Sequence, residues 1–402
     1  MKLIKNEIKK IILSRKYIVA MSIFFALYAC MSVLMCKDTI NSKPEIALSK
    51  NQKNLEYWQK QKEDKNISKK RKSEIDQNIK FIERRNKDLK FQIENKNVDW
   101  KKRLEKDNNN LKEQLKESEK KGESIEISEY KQQIAVNDYY LNNNIKPTSD
   151  YEITAFNVIP KINVLVGLLI ISVIIAIMTS DSVSGEFNPS TIKLLLTKPV
   201  SRQKVLFSKF MASVLTCILS FLIVKILAFL VLGTVFSFGS FKEPVSFYSR
   251  YIADKDLIAN TGLGIKPDLS SLKIYSILKL TAFSEVINML FIMATVSLCL
   301  LISTLTKKSS TSISISAILF AIISVLNIRQ LDGAGGGNLA IHKVMPYLFS
   351  TYSTGEFVIS REIIRKIGLE FVNVPFIIII LIAWTIICYL ISNFVFVKRD
   401  IL

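Results

Sequence analysis

The chain has 402 residues, 49% of them hydrophobic, and a formal net charge of +20 from 55 Lys and Arg against 35 Asp and Glu. The apolar residues gather into long, nearly uncharged blocks instead of mixing with polar ones at helical or strand spacing, which excludes a set of ordinary soluble domains. The basic residues are spread along the chain and flank those blocks, which excludes a nucleic-acid-binding patch and fits orientation against anionic lipid headgroups.

Residues 1–16 place Leu3, Ile4, Ile8, Ile11 and Ile12 on one helical face, with Lys2, Lys5, Lys9 and Lys10 elsewhere. The spacing predicts a short basic amphipathic helix lying on lipid; the alternative is a polar continuation of the first span. Apolar blocks long enough to cross about 30 Å of hydrocarbon then follow at 17–36, 162–180, 211–235, 278–303, 312–328 and 374–397. In lipid each must satisfy its backbone internally, so each is expected to be helical. The expected fold is an all-α membrane protein of six transmembrane helices. The first block has the length of a span and no clear small-x-small cleavage site, so it reads as a retained helix.

Orientation rests on the basic flanks. Lys2, Lys5, Lys9, Lys10, Arg15 and Lys16 precede the first span, and Lys193, Lys198, Arg202, Lys204 and Lys209 lie between the second and third. Lys307 and Lys308 sit in the turn at 304–311, and Lys398 and Arg399 follow the last span. With six spans these four sites share one side, expected to be the cytoplasm. That makes 181–210 a cytoplasmic loop and 398–402 a cytoplasmic tail, and it sets 37–161, 236–277 and 329–373 outside.

Between Pro44 and Pro147 the 37–161 segment has no proline and one glycine, Gly122, which favours helix. Ile75, Ile79, Ile82, Leu89 and Ile93 follow a heptad-like spacing that Leu104, Leu111 and Leu115 continue less regularly. A large extracellular, coiled-coil-like helical insertion is expected, bending near Asn108–Asn110 or near Gly122. The alternative is a charged, partly disordered loop. The glycine run Gly333–Gly337 reads as a flexible loop.

Little conventional catalytic chemistry is on offer. The five cysteines, Cys30, Cys36, Cys217, Cys299 and Cys388, fall in or at the ends of apolar blocks without disulfide or metal spacing, and His342 is the one histidine. No GxxxxGK[ST] pattern occurs, so the chain is not expected to be an enzyme, to bind a metal or to hold ATP itself. Two ionisable residues sit inside apolar spans, Lys225 in the third and Glu285 in the fourth. A lone charge there costs about 2.5–3.5 kcal/mol on insertion scales. Counted from the outer span ends, their depths are similar, so an interhelical ion pair is expected. Snorkelling of Lys225, or Glu285 lying at headgroup level, is the alternative.

The stretch SDSVSGEFNPSTIKLLLTKPVSRQKVLFSKF, residues 180–210, resembles the loop after the second span in ABC-2 type transporter permeases. The matching positions are Glu186, Thr191, Leu194, Leu195, Pro199, Ser201, Arg202 and Lys209; Ser190 departs from the family's usual glycine. The Thr-Lys-Lys-Ser turn between the fourth and fifth spans and the ending FVFVKRDIL are similar to the family's pattern too. The resemblance implies a permease subunit, working as an exporter across the cell membrane. Its partners would be a cytoplasmic ATPase that binds ATP and Mg, and an identical or similar second permease half. It also implies that Glu186, Thr191, Leu194, Leu195, Pro199 and Arg202 couple the chain to that ATPase. The residues themselves agree. Asn188 and Pro189 on one side and Pro199 on the other bracket the apolar run 192–196, a short helix suited to docking in a partner's groove. Such a loop packing only on its own helices is the alternative. Two other functions remain open from sequence: a membrane scaffold or sensor acting through 37–161, and an ion-driven carrier using Lys225 and Glu285.

Overall fold

The computed structural model describes residues 2–63, 69–94, 99–122, 124–149, 151–187, 201–253, 265–331 and 344–398. The chain is mostly helical. Helix α1 (Lys2–Ile12) is followed by α2 (Arg15–Asn41), which Ser14 caps by accepting from the Tyr17 amide. Four helices of the insertion follow: α3 (Pro44–Glu63), α4 (Lys69–Glu94), α5 (Trp100–Lys121) and α6 (Ser124–Asn142). Next come α7 (Ala155–Leu169) and α8 (Ile171–Thr179), then α9 (Arg202–Val235), capped by Ser201. The remaining long helices are α10 (Ile277–Leu305), α11 (Ser309–Leu331) and, at the end, α14 (Val374–Lys398). Two short ones, α12 (Gly355–Ile359) and α13 (Glu362–Ile367), lie between α11 and α14.

Among the described residues, five helices are long and apolar enough to cross a membrane: α2, α9, α10, α11 and α14. The bent pair α7 and α8 supplies a sixth candidate if its two halves count as one span; the axis turns by 57° at Ile170. The second apolar block is therefore not the single straight helix its composition predicts. Helix α9 starts at Arg202, so the last nine residues of the 181–210 loop are helical.

The insertion folds as two helix pairs, α3 on α4 and α5 on α6. Ile75, Ile79, Ile82 and Leu89, four of the heptad-like positions, are buried. The chain reverses at Gly122, whose φ of 73° is the left-handed cap a glycine accepts without strain, while Asn108–Asn110 lies within α5. Asn108 is itself buried, donating to Asp138 at 2.7 Å and accepting from Asn137 at 2.9 Å across the pair.

Two regions read as loops carry structure. Residues 244–276 hold two small antiparallel sheets. One pairs β1 (Pro244–Tyr248) with β4 (Leu272–Ser276) and the other β2 (Tyr251–Ala253) with β3 (Ile265–Pro267). Val245, Phe247, Ile274 and Tyr275, β-branched or aromatic, suit a pleated surface, so these residues pair as strands. The segment 344–367 folds back into the bundle: Met345, Phe349, Tyr352, Val358 and Ile363 are all buried. Gly355 permits this, because a Cβ there would stand 2.0 Å from the Ser284 carbonyl oxygen of α10.

The insertion and the basic flanks lie at opposite ends of the bundle. Glu243, just before β1, accepts from Tyr140 at 3.0 Å and from Thr148 Oγ1 at 2.8 Å, so the foot of the insertion docks on the sheet end. At the other end, α1, the Asp181–Phe187 turn, the start of α9, the turn before α11 and the end of α14 come together.

Candidate functional site

That second end is held by charge. Glu186 sits in a one-turn 3-10 helix (Ser184–Glu186) just after α8 and is buried. Its Oε1 accepts from Lys209 Nζ of α9 at 2.7 Å and from Lys10 of α1. Lys209, also buried, donates to Glu7 Oε2 of α1 at 3.0 Å. Glu7, Lys209, Glu186 and Lys10 thus clip α1 and the post-α8 turn to α9. Asp181 repeats the device, pairing with Lys16 of α2 and accepting from Ser309 Oγ of α11 at 2.9 Å. The amides of Val183 and Ser184 donate to Ser303 Oγ of α10, each at 3.0 Å. One short turn is bonded to five helices, and each buried carboxylate has a cation against it, which is the condition for burying charge without large loss.

Of the six residues assigned to coupling, the structure brings Glu186 into this cluster and leaves Arg202 half-buried at the start of α9, donating to the Val397 carbonyl of α14 at 3.0 Å. Thr191, Leu194, Leu195 and Pro199 lie outside the described residues, as do Asn188, Ser190 and His342. The chain enters the undescribed stretch 188–200 straight from the Glu186 turn and leaves it at the Ser201 cap of α9. Lys209, matched in the motif but not assigned a role, is the hub of the cluster.

Deeper in the bundle, the structure brings Lys225 of α9 and Glu285 of α10 together, Nζ to Oε1 at 2.7 Å. A cavity of about 10 Å³, at the lower limit for one water, adjoins the pair and is also lined by Asn288 and Ser353. Asn288 Oδ1 accepts from the Gly355 amide at 2.7 Å, which fixes the start of α12 beside the pair. On the facing side Tyr28 of α2 donates to Asn163 Oδ1 of α7 at 2.9 Å.

One buried residue in this neighbourhood escaped the reading from sequence. Glu356 of α12 is 5% exposed, and neither carboxylate oxygen has a hydrogen-bond partner. Asn163 approaches it without making a hydrogen bond of ordinary geometry, and the charges of Lys225 and Glu285 both act on it. The available signal was a lone acidic residue within the aromatic and apolar run from Val344 to Ile359.

Comparison with known proteins fits this architecture. The sequence profile of the ABC-2 family transporter protein matches residues 1–401. An uncharacterized protein of Bacillus subtilis (strain 168), YhcI, is 34% identical over 137 residues, 34% of this chain and 41% of that protein. The alignment thus spans about two-fifths of the length of that relative. With several helices suited to crossing a membrane and a family match over nearly its whole length, the chain is a multi-pass membrane protein that belongs to the ABC-2 transporter family.

Proposed function

We propose that this chain is the membrane-spanning half of an ATP-driven exporter in the cell membrane. The four basic flanks and both termini face the cytoplasm, the insertion 37–161 faces outward, and the bent pair α7 and α8 completes six spans. A second permease half and two copies of a separate cytoplasmic ATPase, which binds the ATP and Mg, complete the transporter. Family membership supports a partner ATPase in general; export and the pairing of two halves are carried over from the resemblance to ABC-2 type permeases.

The observation that carries the reading is the ion-pair cluster on Glu186 and Lys209. A handle docked in the ATPase through 188–200, with Leu194 and Leu195 as its apolar contact, would pull on the Glu186 turn at one end and on α9 at the other. Because that turn is bonded to α1, α9 and α10, a displacement there would move several helices as one body and not merely bend a loop. Alternating access at the interface of two halves needs that kind of rigid transmission.

Co-purification tests the reading. The tagged chain is expected to bring down an ATPase carrying GxxxxGK[ST], and Leu195→Asp is expected to abolish that association while the chain still inserts. A carrier driven by an ion gradient through Lys225 and Glu285, or a scaffold acting through the insertion, would bring down none.

A further inference from the structure

Helices α2 and α9 touch toward the basic flanks and are separated by a groove toward the insertion. At the closed end Tyr17 and Ser220 share a hydrogen bond at 2.7 Å, and the rings of Phe24 and Phe221 meet edge to face at 4.8 Å. Beyond those contacts lies a groove of about 650 Å³. Phe25, Tyr28, Ala29, Ser32, Val33 and Cys36 line it from α2. Val224, Leu227, Ala228, Val231, Leu232 and Val235 line it from α9. Both sets follow the same i, i+3, i+4, i+7 spacing, so each wall is one helical stripe and the groove is a slot between two stripes. Val33, Leu227, Val231 and Val235 are exposed along it, while Tyr28, Cys36, Val224 and Leu232 are buried.

The length of the slot fits one leaflet. From Tyr28 to Asn41 the wall runs about 20 Å, and from Val224 to Phe236 about 18 Å, against about 15 Å of hydrocarbon in half a bilayer. Tyr28 and Val224 lie near the middle of their spans. Lys37 and Asn41, one helical turn apart, stand at the mouth, where the apolar block 17–36 stops. Hydrocarbon holds no water, so in a bilayer something apolar fills such a slot.

The mouth selects what fills it. Lys37 is exposed and has no ion-pair partner among the described residues, and Asp38, the next residue, does not line the groove. A cation and an amide donor at headgroup depth suit a phosphate. A second copy related by a twofold axis along the membrane normal would instead set Lys37 against the same lysine at the same depth, a like-charge contact.

We propose that this slot holds one acyl chain of an anionic phospholipid from the leaflet on the insertion side, its phosphate seated on Lys37 and Asn41. The site rests on the membrane placement of α2 and α9, not on the permease reading.

The test is native mass spectrometry of the full-length chain in detergent, titrated with dioleoyl phosphatidylglycerol and with dioleoyl phosphatidylcholine. Wild type is expected to bind one molecule of the anionic lipid more tightly than the zwitterionic one. Lys37→Gln should weaken that binding roughly five- to tenfold. Ala228→Trp, which fills the slot and keeps the lysine, should abolish it, and adding Lys37→Gln to Ala228→Trp should change nothing further. A photoreactive benzoylphenylalanine at Val33, in nanodiscs of the two lipids, should gain the mass of a phospholipid; this reading stands even if the first variant fails to fold. Equal affinity in Lys37→Gln, no preference between the lipids, or a cross-link to a second copy overturns the site. A chain that brings down its ATPase yet holds no lipid here overturns only this inference. One that holds the lipid and brings down no ATPase overturns only the permease reading.

Discussion

The two ends of the bundle treat buried charge in opposite ways. At the end carrying the basic flanks, Glu186 and Lys209 are buried within a chain of ion pairs that reaches Glu7 and Lys10. Toward the insertion end, Glu356 is buried to a similar degree without an ion pair or a hydrogen bond of ordinary geometry, though Asn163, Lys225 and Glu285 stand near it. Lys225, paired with Glu285, stands between the two in depth and in kind. Of the four buried charged side chains among the described residues, then, three are satisfied internally and one is not. A saturated network gains nothing from a ligand and serves to join helices rigidly. An unsaturated one is costly to bury in its charged form. The difference separates a rigid ion-pair joint from an unsatisfied buried carboxylate within one membrane domain.

Breaking the satisfied pair inside the bundle should have the largest effect. Lys225→Glu places two carboxylates side by side where one ion pair stood. It is expected to cost on the order of 3–5 kcal/mol, read as a loss of folded protein in thermal unfolding, and Glu285→Lys in the same chain should restore most of it. No rescue would mean that the two residues do not act as a pair.

Opening the cluster at the other end should cost less stability but more coupling. Glu186→Gln keeps the shape and leaves Lys209 with Glu7, so a loss of roughly 1–3 kcal/mol is expected. Association with the ATPase should weaken more than that stability loss explains. A variant with unchanged ATPase association would reduce the cluster to packing.

The position of the unsatisfied carboxylate can be broken without touching its charge. Gly355→Ala drives a methyl group into the Ser284 carbonyl, so α12 must shift. Overpacking of this kind costs about 1–3 kcal/mol, read as a lower midpoint in thermal unfolding. The smallest effect is expected in the insertion, which touches neither charge cluster. Gly122→Ala forces an alanine into the left-handed region at about 1–2 kcal/mol. It should loosen the α5–α6 pair in hydrogen exchange and leave ATPase association unchanged.

How far the sequence discloses this arrangement depends on the physics of each part. Long apolar blocks are legible because hydrocarbon thickness dictates their length, and α9, α10, α11 and α14 fall on theirs. Lys225 and Glu285 stand out because each is alone in an apolar span. The break at Ile170 leaves no mark in composition, since both halves are equally apolar. Helix α1 advertises its amphipathic face, yet nothing local says that Glu7 and Lys10 reach residues some 200 and 176 positions away. Glu356 was hidden for a related reason. The run from Val344 to Ile367 is broken into short turns too brief to register as helices, so its burial is decided by close packing of Gly355 on α10, a tertiary contact without a local pattern. The small sheets within 244–276 pair residues about 24–32 apart in one and about 12–16 apart in the other, beyond what alternation over three to five residues can announce.

The most direct test of the central claim is ATP hydrolysis by the particle purified through a tag on this chain. The account predicts a co-purifying Walker-A ATPase whose activity and stoichiometry fall in Leu195→Asp and in Glu186→Gln. A homogeneous, folded particle with no associated ATP hydrolysis, indifferent to both substitutions, would contradict it.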